Sequence, residues 1–192
     1  MGRIIYKLVA WFFYLFFRLF FGLQIKGKEN LPPQGPYIIV ANHQHALDPT
    51  LVGAAVYPQQ IHFMAKEELF KNPVLRWVFT AIGAFPVKRG QADLRAFKTS
   101  YQKIKEGGIL GMFPEGTRQK EGEARKARRG VAQIIRRTGA EVIPVRVDWN
   151  KWRRPVKVII GPPVRGLELE KSSKEELYLL AENLMERVYS LE

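Results

Sequence analysis

Short apolar runs recur along the chain, each bounded by turn residues. Tyr37-Ile38-Ile39-Val40-Ala41 is uninterrupted and passes directly into the polar Asn42 and His43. Runs of similar length follow at Ile61 to Ala65, Ala84 to Lys88, Gly108 to Phe113, Val142 to Val147 and Val156 to Ile160. The first reads as a buried strand, and the others, of similar length, as further strands. Between them the pattern is helical. Asp48-Pro49 and Asn72-Pro73 each read as a helix N-cap followed by proline at the first helical position. Leu94 to Glu106 ends at Gly107-Gly108, and Ala127 to Thr138 ends at Gly139, as helices do at their C-terminal caps. Ser172 and Ser173 precede Glu175 and Glu176 as a doubled capping-box signal, and Leu177, Leu180, Leu184 and Val188 then share one helix face. Strands alternating with helices predict an α/β fold with a mostly parallel or mixed central sheet flanked by helices.

The first 25 residues follow a different pattern. Ile4 to Leu23 carries Trp11, Phe12, Phe13, Tyr14, Phe16, Phe17, Phe20 and Phe21. A signal peptide is a poor fit, because Arg18 interrupts the apolar stretch and no small-residue cleavage site follows. A transmembrane helix needs ~20 predominantly apolar residues, a length only just reached here with Lys7 and Arg18 inside it. At roughly 100° per residue, Arg3, Lys7, Tyr14 and Arg18 fall within about 60° of one another. That geometry favours a membrane-associated helix lying in the bilayer interface, with a cationic stripe toward lipid phosphates and a broad apolar face in the acyl region. A spanning helix and a core helix remain as alternatives. The expected organisation is an anchor over 1–25 and one globular domain over 26–192.

Charge narrows the partners. Lys and Arg number 31 against 18 Asp and Glu, a formal net charge of +13, which favours polyanions of any kind. The chain has no cysteine, which excludes disulfides, thiolate metal sites and a cysteine nucleophile. No metal is expected. His43-x-His45 is half a ligand set, and the third histidine, His62, stands apart from any carboxylate cluster.

Two loops that follow predicted strands carry the candidate chemistry. In Asn42-His43-Gln44-His45-Ala46-Leu47-Asp48, an imidazole can act as general base while a carboxylate accepts its other N–H and fixes the tautomer. The plainer reading is that Asp48 caps the next helix and His43 is a satisfied loop residue. In Phe113-Pro114-Glu115-Gly116-Thr117-Arg118, a glycine lets backbone amides approach an anion, while Thr117 and Arg118 add a hydroxyl and a fork-shaped cation. A polar turn with a solvated arginine is the alternative. Gly83 to Gly90 delivers Lys88 and Arg89 to a strand end, and Arg125, Lys126, Arg128, Arg129, Arg136 and Arg137 form a run that commonly marks a solvated face.

Taken in order, these segments resemble the glycerolipid acyltransferase family, and most closely its bacterial 1-acylglycerol-3-phosphate acyltransferases. Four blocks carry the resemblance: Asn42 to Asp48, Gly83 to Arg89, Phe113 to Arg118, and Val142-Ile143-Pro144-Val145. Pro86 departs from the second block, where an aromatic or aliphatic residue is usual. The resemblance implies that His43 is the base and Asp48 its orienting carboxylate, with Arg89, Glu115, Gly116, Thr117 and Arg118 holding the acceptor and its phosphate. His45 falls at a variable position of its block. The implied reaction moves an acyl group from acyl-CoA or acyl carrier protein, as co-substrate and with no cofactor, to the sn-2 hydroxyl of 1-acylglycerol-3-phosphate at the cytoplasmic face of the membrane, giving phosphatidic acid. Three alternatives stand beside it: another acceptor such as glycerol-3-phosphate, hydrolysis of the thioester, and a non-catalytic basic protein on membrane or nucleic acid. No nucleic-acid motif supports the last.

Overall fold

The computed structural model describes residues 2–88, 93–118, 127–149, 155–165, 167 and 173–192. Seven strands form one sheet: β1 (Gln24–Lys26), β2 (Tyr37–Ala41), β3 (Ile61–Lys66), β4 (Phe85–Val87), β5 (Ile109–Met112), β6 (Glu141–Asp148) and β7 (Lys157–Ile160). Their order is β1-β7-β6-β2-β5-β3-β4. Every pair is parallel except β6 with β7. The helices are α1 (Gly2–Phe21), α2 (Asp48–Val56), α3 (Pro73–Ala81), α4 (Leu94–Lys105), α5 (Gly130–Thr138) and α6 (Lys174–Ser190).

The uninterrupted apolar run of β2 explains its central place. Tyr37, Ile39 and Ala41 pack on one face with Leu51, Val52 and Ala55 of α2, while Ile38 and Val40 pack on the other with Val131, Ile134 and Ile135 of α5 and Leu184 and Val188 of α6. Each of the six apolar runs became a strand, with ends shifted by at most one residue. β1 was not foreseen. It is three residues with two exposed, and it exists because it borrows the ladder of β7.

Helix ends follow the sequence signals with two exceptions. Asn72 accepts from the backbone of Val74 and Leu75, Gly139 closes α5 at φ 62°, and Ser173 with Glu176 forms a reciprocal capping box. α5 begins later than Ala127, because Arg128 gives its backbone N–H to Pro114 of the preceding loop instead. Asp48, expected as an N-cap, is the first helical residue instead; Leu47 occupies the cap position and the Asp48 carboxylate turns back into the loop.

α1 does not lie apart from the domain. Tyr6, Ala10 and Phe17 are buried against the rest of the chain, and the Tyr6 hydroxyl accepts the Ile61 N–H at 3.2 Å. The Arg18 guanidinium folds back onto the Leu23 carbonyl at 3.1 Å, close to the end of the helix. Ile4, Leu8, Trp11, Phe12, Leu19 and Phe20 remain exposed. So the apolar circumference read from sequence is divided: one side is core and the other faces outward. α3 touches α1 and buries no residue, so ordinary core packing does not explain Val74, Trp77 and Val78. By length and composition alone, Ile4–Phe21 could cross a membrane.

One glycine joins the sheet to the region considered next. The Phe63 ring of β3 lies across Gly111 of β5, where an added Cβ would sit 2.0 Å from a ring carbon. Gly111→Ala should therefore displace Phe63 and cost about 1–3 kcal/mol, the usual penalty for overpacking. Thermal unfolding in mild detergent measures this, and adding Phe63→Leu should recover part of the loss. An unchanged melting temperature would show that the ring yields without cost.

Candidate active site

Parallel pairing sets β2 and β5 side by side with Val40 opposite Met112, so the loops that follow them leave the sheet as neighbours. Ligand sites of open α/β sheets gather at such strand ends. β6 reaches the same place from the other side of β2. Beyond the last strand pair, Asn42 continues the ladder with its side chain: Nδ2 donates to Val147 O at 2.8 Å, and Oδ1 accepts from Val147 N at 2.7 Å. The chain therefore leaves β2 in a fixed direction, and His43 follows.

The backbone N–H of His43 donates to Glu115 Oε2 at 2.6 Å, which ties the two candidate loops together. Its ring stacks on Phe113 with centroids 4.4 Å apart, and Phe113 stacks in turn on Phe63 at 5.8 Å. That stack sets the plane of the imidazole. One edge, through Nδ1, meets Asp48 Oδ2 at 2.9 Å. A carboxylate accepts, so the proton of the neutral ring resides on Nδ1 and the lone pair on Nε2. Among the described residues no group bonds Nε2.

Asp48 is 0 % exposed. Its Oδ2 also accepts the backbone N–H groups of Gln44 and His45, each at 2.7 Å, and its Oδ1 accepts the Trp149 indole N–H at 2.6 Å. A buried carboxylate is tolerated only when it is well bonded, and this one accepts four donors. Of the two readings of Asp48, the structure shows the one in which its carboxylate meets the His43 ring, not the plain cap.

Glu115 is also buried, and both its oxygens are occupied: Oε2 by His43 N–H and Oε1 by the Tyr189 hydroxyl at 2.6 Å. Burial pushes its carboxyl above the ordinary range, and the bonds from Tyr189 and His43 pull it partly back. Gly116 sits at φ 71° with its N–H bonded to Phe113 O, and the Arg128 side chain lies against it, 2.7 Å from where a Cβ would stand. Thr117 and Arg118 are exposed at the end of the same turn. Of the expected site residues, His43, Asp48, Glu115 and Gly116 are brought together with Thr117 and Arg118 beside them, whereas Arg89 lies outside the described residues, as do Arg125 and Lys126. From the rest of the basic run, Arg129 and Arg137 stand over the rings of Tyr178 and Tyr101, each at 5.7 Å. Among the described residues no group of three or more His, Cys, Asp and Glu is placed to hold a metal.

Three participants carried no usable signal in the sequence. Trp149 and Tyr189 reach the site from distant positions, and Arg128 was one cation within a run. Asn42 belonged to the first loop, but nothing in the sequence showed that it would bond across to β6.

The raised carboxyl of Glu115 has a pH signature. Above the ordinary 4.5, the folded chain keeps a proton that the unfolded chain has released, so this group's contribution to stability falls as pH rises through that window. The stability difference between wild type and Glu115→Gln should accordingly shrink as pH rises from 4.5, read as melting temperature across a pH series. A difference independent of pH would mean that Glu115 titrates as an ordinary carboxyl.

Comparison with known proteins bears on this site. Residues 22–148 match the family model described as Acyltransferase. The chain is 34% identical over 178 residues to the 1-acyl-sn-glycerol-3-phosphate acyltransferase of Bacillus subtilis (strain 168), covering 89% of this chain and 88% of that one. It is 28% identical over 180 residues to a chloroplastic 1-acyl-sn-glycerol-3-phosphate acyltransferase of Arabidopsis thaliana, covering 86% of this chain but 50% of the longer relative. The crystal structure of the 1-acyl-sn-glycerophosphate (LPA) acyltransferase from Thermotoga maritima superposes with a TM-score of 0.75 at 30% identity, over 95% of this chain and 77% of that one.

Proposed function

This chain belongs to the acyltransferase family, and we propose that it moves a fatty acyl group from a thioester to the sn-2 hydroxyl of 1-acylglycerol-3-phosphate, giving phosphatidic acid. The thioester is a co-substrate, on coenzyme A or acyl carrier protein, and no cofactor is needed. The observation that carries the reading is the His43–Asp48 pair, set at the strand ends with Nδ1 committed to the carboxylate at 2.9 Å. The names of the Bacillus subtilis and Thermotoga maritima relatives support the choice of acceptor.

In this mechanism Nε2 of His43 takes the proton from the acceptor hydroxyl as its oxygen bonds to the thioester carbon. Asp48 stabilises the imidazolium that forms. The tetrahedral intermediate then expels the thiolate, which receives that proton, so no acyl group is carried on the protein. Gly116, Thr117 and Arg118, with Arg89, hold the acceptor phosphate through amides, a hydroxyl and cations. Glu115 serves the acceptor indirectly, because its oxygens are engaged in fixing His43 and Tyr189. Holding both substrates together turns a bimolecular encounter into a positioned attack.

The substrate and product are lipids, and the outward faces of α1 and α3 suit a bilayer interface. Trp11 and Trp77 are 50% and 63% exposed among other apolar side chains. Indole rings favour the headgroup level, and the net charge of +13 draws the protein to anionic lipid. In this reading residues 1–25 anchor an acyltransferase domain over 26–192 to the cytoplasmic face, where the thioester donor is found.

His43→Ala should lower transfer by 10²-fold or more, the scale of general-base catalysis. The assay supplies oleoyl thioester with 1-acylglycerol-3-phosphate and follows thiol and diacyl product together. Thiol release with only free fatty acid would make the chain a hydrolase. Trp77→Ser should weaken sedimentation with anionic vesicles at unchanged melting temperature. Unaltered vesicle binding would remove α3 from the membrane face.

A further inference from the structure

We infer that Trp149 is a positioning residue for acyl transfer: its indole N–H fixes the second oxygen of Asp48, and with it the plane in which that carboxylate meets the His43 ring. The inference rests on the reading of His43 and Asp48 as base and orienting carboxylate. Three of the four donors to Asp48 converge on Oδ2, namely His43 Nδ1 and the backbone of Gln44 and His45. A turn about the Cβ–Cγ bond moves both oxygens at once, so the bond from Trp149 Nε1 to Oδ1, at 2.6 Å, braces the plane from the side opposite the Oδ2 donors.

The indole is itself held in place. It is buried, and its ring meets those of Phe17 and Phe21 of α1 edge-to-face, with centroids 6.1 and 5.8 Å away, and that of His45 at 4.8 Å. The chain returns to the same spot further on: Val156 N donates to Phe21 O at 3.0 Å and Val156 O accepts from Gln24 N at 2.9 Å. The C-terminal end of α1 is thus packed behind the indole, and the indole behind the carboxylate. An error in carboxylate angle alters proton removal at Nε2 and leaves substrate binding alone. The effect belongs in kcat rather than KM.

Two changes at position 149 of the full chain in mild detergent test this, assayed with oleoyl-CoA and 1-acylglycerol-3-phosphate. One is Trp149→Phe. The other is site-specific incorporation of 3-benzothienylalanine, which keeps the bicyclic shape and replaces the N–H by sulfur. With the isostere, kcat should fall on the order of 10-fold, the loss expected for one charge-assisted hydrogen bond acting in the transition state. KM for both substrates should stay within about twofold of wild type, at an unchanged melting temperature. Full kcat with the isostere overturns the inference, even where Trp149→Phe is impaired, because the indole then only fills space. A rise in KM with kcat preserved also overturns it. His43→Ala in the same assay separates the two readings. If it keeps its activity, the base assignment fails and this inference with it; if it is inactive while the isostere turns over fully, only the role of Trp149 fails.

Discussion

One buried carboxylate organises the site. An ionised group with no access to water is costly, by several kcal/mol even after relaxation, unless donors replace the water it has lost. Asp48 gathers four of them from two places: the imidazole and two amides of the loop after β2, and the indole that follows β6. Its position in the first turn of α2 adds the favourable end of the helix dipole. Removing one donor strands part of a charge, so the loop, the helix start and the end of β6 constrain one another. His43 inherits its orientation from that constraint.

A second carboxylate works in the same manner one loop away. Glu115 joins the backbone of His43 to Tyr189 on the last helix, so His43 is fixed from its main chain as well as its ring. Asn42 completes the frame by bonding both polar groups of Val147. Each of these polar side chains is buried, and each is spent on aligning the strand ends around a single imidazole. Rigid alignment of this kind is what a proton transfer needs, since small misplacements reduce rates steeply.

The sequence made the frame legible more readily than the contacts. Short apolar runs located six strands, and the uninterrupted one, Tyr37 to Ala41, is buried throughout because a strand covered on both faces has no reason to alternate. β1 escaped notice because three residues on the edge of a sheet carry no period. Asp48 was legible both as a cap and as the partner of His43, and the fold favours the second. A cap and a histidine orienter call for the same side chain before the same proline, and only the fold decides which donors reach it. Trp149 lies 101 residues away from Asp48 in the chain, and nothing local marks an indole whose partner arrives through sheet topology. For α1, a helix apolar on nearly all sides left three readings open, and the structure buries Tyr6 and Phe17 while leaving Trp11 outside.

That division of α1 has a practical consequence. Membrane-associated proteins are commonly trimmed of an N-terminal apolar helix to obtain a soluble fragment. Here the cut would also withdraw Phe17 from the main core and uncover the rear of Trp149, leaving a water-filled notch behind Asp48. The exposed apolar surface and the packing behind Asp48 are carried by opposite sides of the same helix. They are better separated by replacing Trp11, Phe12 or Leu19 on the outward side than by shortening the chain.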